Sequence, residues 1–243
     1  MAFAFAISSH AQVFSLTPTA DALLSAANPT LNYGGAGALA ISAAGLPKGE
    51  FDSLLQFNFA AAKSSFDAFY GAGLWTIQSI TLTLTATPPG NALFNGNLAG
   101  PGGSNINFAG QFSLEWIQND AWTEGTGIPQ TPTTNGVTYN DLTTVLSGVE
   151  ETVGTFAFSG ATTGSTAYNL ALTPSFTADA TAGNVVSFFA APADTAVSAL
   201  VNARSVMATA SRPTLTIIAV PEPASAAFAL SGLLMLAGVR RRS

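Results

Sequence analysis

Residues 77–89 read IQSITLTLTATPP, and this stretch decides the fold class. Ile80, Leu82 and Leu84 fall on one side of an extended chain, and Thr81, Thr83 and Thr85 on the other. A period of two, with β-branched polar residues on the wet side, marks a strand with one buried face. Pro88 and Pro89 end it, because proline has no N–H to give to a ladder. Residues 53–60, SLLQFNFA, follow the same rule, with Leu55, Phe57 and Phe59 inward and Gln56 and Asn58 outward. Further strands are expected in ALAISA (38–43), INFAGQFSLEWI (106–117), ETVGTFAFSG (151–160), TAYNLALT (166–173), NVVSFFAAP (184–192) and RPTLTIIAV (212–220). Gly, Pro and Asn clusters separate them, as at residues 28–37, 88–103 and 160–165. Helical pattern is confined to one or two turns within residues 59–73 and another within 193–203. Many short strands with few helices point to an all-β, antiparallel β-sandwich of jelly-roll-like form.

Composition narrows the chemistry. The chain has no Cys and a single His, His10. That removes disulfides, a thiol nucleophile, the Ser-His-Asp triad and zinc sites built from Cys or His. Thirteen acidic residues stand against seven basic ones, for a net charge of −6. Before residue 220 the only bases are Lys48, Lys63, Arg204 and Arg212, too scattered to neutralise a run of phosphates. Nucleic acid is therefore excluded as a partner. A charged fraction of 8% beside 48% hydrophobic residues describes a chain that folds rather than one that stays disordered. No cofactor is expected.

The last 24 residues, VPEPASAAFALSGLLMLAGVRRRS (220–243), differ from everything before them. Residues 224–239 carry no charge and are bounded by Glu222 and by Arg240, Arg241 and Arg242. As a single helix this run would be about 24 Å long. That is short of the ~30 Å hydrocarbon core, a gap that snorkelling arginines and local thinning can close. Pro221 and Pro223 suit the entrance of such a helix, and the three arginines would stay cytoplasmic. Val220, Pro221, Glu222 and Pro223, then an apolar run, then Arg240–Arg242, resemble the PEP-CTERM sorting signal of Gram-negative bacteria. The resemblance implies transient anchoring in the inner membrane and processing near Pro-Glu-Pro by an exosortase-type enzyme. The destination would be the cell surface or extracellular matrix of a strain that makes exopolysaccharide. A secretory signal should then open the chain. Residues 1–11 contain a short apolar run and a Ser9-His10-Ala11 stretch like a cleavage site, and are expected to be a truncated signal peptide. The expected division is signal 1–11, β-sandwich 12–219 and sorting tail 220–243.

A second resemblance spans residues 17–217. DALLSAANPTLNYGGAGALAI (21–41), FDSLLQFNF (51–59), WTIQSITLTLTA (75–86), NDAWTEGTGIP (119–129) and RSVMATASRPTLTI (204–217) are similar, in order, to motifs of DNRLRE-type modules. Gln56 and Asn58 stand where that family usually has Arg and Asp, and Tyr139 follows Val137-Thr138 where it has Trp. The resemblance implies a carbohydrate-binding-like sandwich with an adhesive, matrix or glycan-binding role.

With His and Cys gone, the remaining chemistry belongs to carboxylates. Glu115, Asp120 and Glu124 cluster in SLEWIQNDAWTEG (113–125), between Trp116 and Trp122, and form the one segment that suits a glycosidase's pair of acids. The plainer expectation has a strand ending near Gln118, a turn at Asn119-Asp120, and Trp122 in the core. The main reading is thus a non-catalytic surface or matrix protein, and the alternative a carboxylate-dependent polysaccharide hydrolase. Asp21, Asn28, Asn32 and Asp52 would suit Ca²⁺ only if the first loop folded back on the sheet. Without EF-hand spacing no metal is expected. Trp75 and Trp116 read as core, while Trp122 and Tyr139 remain as candidates for stacking on a sugar. Arg204, set among apolar residues, needs a carboxylate partner that the sequence does not name.

Overall fold

The structure is a computed structural model and describes residues 10–47, 49–87 and 107–222. Its strands are β1 (Gln12–Leu16), β2 (Ala20–Ser25), β3 (Ala38–Ser42), β4 (Phe51–Asn58), β5 (Trp75–Thr85), β6 (Gly110–Ile117), β7 (Glu150–Phe158), β8 (Ser165–Leu170), β9 (Val185–Pro192), β10 (Ser198–Asn202) and β11 (Thr214–Pro221). The helices are α1 (Ala60–Tyr70), the single turn α2 (Leu142–Val145) and α3 (Pro174–Ala182). One antiparallel sheet has the order β1-β11-β5-β8. The other runs β10-β3-β4-β9-β6-β7, with β2 also paired to β4. The chain is therefore mostly β, in a two-sheet, sandwich-like arrangement.

The alternation in β5 is realised as read: Ile80, Leu82 and Leu84 are buried, and the threonines between them are half-exposed. They meet Leu215 and Ile217 of β11 and, from the facing sheet, Leu55, Phe57, Phe112, Leu114 and Phe188. Phe188 receives Phe57 and Phe176 edge-on, with ring centroids 6.1 and 5.3 Å apart. This is the preferred aromatic geometry. α1 adds Ala62, Phe66 and Tyr70 to the same core. The Tyr70 hydroxyl donates to the Ala219 carbonyl at 2.8 Å, and the Trp75 indole N–H donates to Asp67 at 2.7 Å.

Three expectations are corrected. Residues 193–203 do not make a helical turn: β10 occupies 198–202, pairing Ser198 with Ser42 and Leu200 with Ala40. All five of its residues are buried, so neither period was visible in them. α1 is an 11-residue helix rather than one or two turns. α3 was not foreseen, although Pro174 at its first position and Gly183 (φ +77°) just past its end are the standard start and stop signals.

The expected boundary between residues 219 and 220 falls inside β11. Val220 pairs with Thr76 and Pro221 with Trp75, and the Glu222 N–H donates to the Leu74 carbonyl at 2.9 Å. No helix among the described residues is long and apolar enough to cross a membrane. The expected signal peptide, apart from His10 and Ala11, lies outside the described residues, as do the tail helix, Pro223 and Arg240–Arg242.

Candidate functional site

The larger sheet is covered on its outer side as well. Leu54, Phe189 and Ile117 point away from the main core and, with Ala22 and Leu24, receive Trp122, Val137, Leu142 and Val145. This second apolar cluster explains why β4 is buried on both faces although its sequence reads as half-wet. The covering segment is shaped by its own polar side chains. Asn119 Oδ1 accepts from Ala121 N at 2.9 Å to turn the chain after β6. Asp141 Oδ2 accepts from Thr138 N at 2.9 Å and from Thr138 Oγ1 at 2.8 Å, which sets the short turn before α2.

Both aromatic candidates belong to this cover. Trp122 is 9% exposed, and its indole N–H donates to Ser187 Oγ at 3.0 Å. Gln56 reaches the same place, donating to the Asp120 carbonyl at 3.0 Å. A neutral amide thus fastens β4 to the loop above it. Tyr139 is half-buried against the cluster, and its hydroxyl donates to Glu50 Oε1 at 2.9 Å. Burial, the Glu50 hydrogen bond and the charges of Asp52 and Glu50 push its pKa up to about 12. Trp122 is thus buried and Tyr139 half-buried. An open cleft of about 320 Å³ does lie beside Trp122, lined also by Asn119, Thr123, Asn135, Asp141 and Thr144. Tyr139 is not part of its wall. Asn119 Nδ2 is already bonded to the Thr144 carbonyl at 3.1 Å, and Asn135 Nδ2 to Thr126 Oγ1 at 3.0 Å.

Asn32 was named only as a conceivable metal ligand, and it proves to be the organiser of this region. It is fully buried. Its Nδ2 donates to the carbonyls of Glu124 (2.7 Å) and Val137 (2.8 Å). Its Oδ1 accepts from the N–H groups of Gly34 (3.2 Å) and Gly127 (3.1 Å). Gly125 (φ +76°) lies so close that a Cβ there would collide with the Asn32 carboxamide. The other three residues of that set do not join it. Asp21 pairs with Leu55 and Asp52 with Leu24, which puts the two acids on alternate sides of the β2–β4 ladder. Asn28 shapes a turn, its backbone N–H donating to the Ser25 carbonyl at 3.1 Å.

The three acids of residues 113–125 serve three neighbourhoods. Glu115, on β6, faces Glu150, and burial followed by that charge raises its pKa. Asp120 is raised to about 6, first by burial and then, against hydrogen bonds from Ser187, by the charge of Asp179. Glu124 forms an ion pair with Arg204 and so supplies the partner the sequence could not name. Arg204 also donates its backbone N–H to Asp21 Oδ2. Burial holds Asp21 up at about 7, helped by the neighbouring Glu124 charge and opposed by Arg204. Asp52 is likewise raised to about 7 by burial and by Glu50. The Glu124–Arg204 pair and the Arg204 N–H bond to Asp21 together close a loop over the sheet.

Among the described residues no group of three or more His, Asp or Glu side chains is placed to hold a metal. Comparison with known protein-family models finds no match, and comparison with curated proteins finds no relative.

Proposed function

We propose that the chain is an exported, non-catalytic protein of the cell surface or extracellular matrix, adhesive or associated with exopolysaccharide, and sorted by a PEP-CTERM-type tail. The observation that carries this reading is where the last described strand ends. Pro221 is the last residue of β11, and the Glu222 N–H makes the closing backbone bond to Leu74. Val220 and Pro221 of the motif are thus the last two residues of β11, so cleavage beyond Glu222 would leave every strand of the two described sheets intact. The partners of this reading are an exosortase-type processing enzyme, the inner membrane during transit, and exopolysaccharide at the destination.

Two further features support it. The strand orders β1-β11-β5-β8 and β4-β9-β6-β7 interleave early and late strands in the manner of a jelly roll, with β2, β3 and β10 as additions. Several carboxylates also have structural partners: Glu124 holds Arg204, Asp67 holds Lys63, and Glu151 caps α3 through Ser175 N and Phe176 N. Mass spectrometry of the mature protein from its host is expected to find residues 240–242 missing. An intact C-terminus on exported protein would overturn the sorting reading.

A further inference from the structure

The outer face of the four-stranded sheet differs from the rest of this acidic chain. None of the residues of β1, β5, β8 and β11 is Asp, Glu, Lys or Arg. The larger sheet, by contrast, carries Asp21, Asp52, Glu115, Glu150 and Glu151 on its strands. The strand registers turn the smaller sheet's outer side chains into straight rows. Ser15 lies opposite Thr216, Thr216 opposite Thr81, and Thr81 opposite Asn169. In the next row Thr214 lies opposite Thr83, and beyond it Thr85 lies opposite Ser165. Within these rows hydroxyl-bearing side chains recur about every 4.8 Å across the strands and about every 6.8 Å along β5, with Ala167 ending the second row and Val13 and Ile218 giving the face an apolar margin.

Two cross-strand hydrogen bonds fix the array. Thr81 Oγ1 donates to Asn169 Oδ1 at 2.9 Å, and Thr85 Oγ1 pairs with Ser165 Oγ at 2.8 Å. A hydroxyl that donates to a neighbour keeps its lone pairs for a partner. Threonine is also stiff at χ1, so little rotamer freedom is lost when the face is covered.

We propose that this hydroxyl-lined face binds a long, uncharged, polyhydroxylated polymer, a neutral polysaccharide laid across β1, β11, β5 and β8. The argument is one of charge and group complementarity. The four strands themselves carry no ammonium or guanidinium to pair with phosphate, sulfate or uronate. Its hydroxyls both donate and accept, matching sugar hydroxyls in either sense, while the threonine methyls meet the apolar C–H surface of a pyranose. Among the strand residues named in these rows none is aromatic, so each sugar is held weakly and affinity accumulates with polymer length. The inference rests on the exopolysaccharide-associated reading for its biological setting, whereas the binding itself is independent of export.

The test is co-sedimentation of the full chain with microcrystalline cellulose and with chitin, and gel retardation in soluble polygalacturonate. The neutral solids are expected to retain the protein equally at low and high salt, without competition from short oligosaccharides, and the anionic polymer is expected to have no effect. Thr81→Glu/Thr83→Glu/Thr216→Glu should reduce retention at least about tenfold. If that variant does not fold, Thr83→Val/Thr216→Val, which keeps shape and strand preference, should reduce it in a protein of unchanged circular dichroism. Failure to bind either neutral solid, preference for the anionic polymer, or equal retention of the folded variants would overturn the proposal. So would a dimer of the full chain that the Glu substitutions dissociate, since a second copy would then cover the face. None of these outcomes bears on the C-terminal mass, which tests the sorting reading separately.

Discussion

The side-chain amide of Asn32 donates to the backbone carbonyl of Glu124 at 2.7 Å, joining residues 92 positions apart inside a fully buried site. With its bonds to Val137, Gly34 and Gly127, this one side chain substitutes for a stretch of secondary structure over the larger sheet. Asn32→Ala would leave several buried backbone groups unpaired, at about 1–3 kcal/mol each where water cannot enter. A loss of about 3 kcal/mol or more is expected in urea unfolding. Gly125→Ala should cost a similar amount by pushing on the same carboxamide from a left-handed backbone.

This centre was hard to read because Glu124, Gly127 and Val137 meet Asn32 through main-chain groups of a distant loop. Asn-Pro and Asn-Tyr-Gly mark turns in any sequence, and nothing in residues 28–37 announces a contact with 124–137. The Arg204–Glu124 pair has the same character: the need for a partner was legible from the apolar surroundings, and its identity, 80 residues away, was not.

Trp122 tests the cover itself. Its ring fills the second apolar cluster, and its N–H bond to Ser187 ties the loop to β9. Trp122→Ala is expected to cost roughly 3–5 kcal/mol, the usual range for emptying a buried aromatic site. Trp122→Phe should recover most of the packing and leave the Ser187 hydroxyl with only the longer bond from Gln56 Nε2, at 3.4 Å. A Trp122→Ala protein that melts like wild type but loses glycan binding would restore the stacking reading.

Stability should peak in acid. Asp21 and Asp52, held at about 7, keep protons in the folded state that the unfolded chain releases near 3.8. Between these values folding weakens as pH rises, by up to about 1.4 kcal/mol per pH unit for each group. Asp120, held at about 6, adds to the same slope. Glu151 acts in the opposite sense. Burial works against its charge, but hydrogen bonds from Thr173, Ser175 and Phe176 hold it at about 2, so its contribution is lost as pH falls from 4.5 toward 2. Thermal melts from pH 2.5 to 9 should therefore show a maximum between about pH 3 and 4, where the loss from Asp21, Asp52 and Asp120 begins to outweigh the gain from Glu151. Asp21→Asn and Asp52→Asn should each flatten the neutral side of the curve, and Glu151→Gln the acid side.

The fold was most legible where one face of a strand meets water. In β5 the inward and outward residues are those the sequence marks, and β8 and β11, expected as strands, alternate in the same way. Legibility failed where a second layer covers the strand. β10 is buried throughout, and a short apolar run without polar punctuation fits a helix as well as a strand. β2 is almost wholly buried for the same reason.

Glu124 separates the matrix reading from the hydrolase alternative. Its carboxylate pairs with Arg204, whose side chain is 38% exposed, so solvent screening limits the pair to about 1 kcal/mol or less. Glu124→Gln leaves the backbone carbonyl that Asn32 needs and also removes the like charge beside Asp21. A small fall in melting temperature is expected, with Asp21 titrating lower than in wild type by NMR. Arg204→Met should cost more, because both Asp21 and Glu124 lose the neighbouring positive charge. For a matrix protein, wild type and Glu124→Gln should alike release no reducing ends from a panel of neutral and acidic polysaccharides. Turnover by wild type that vanishes in Glu124→Gln at unchanged stability would make Glu124 a catalytic acid and the protein a hydrolase.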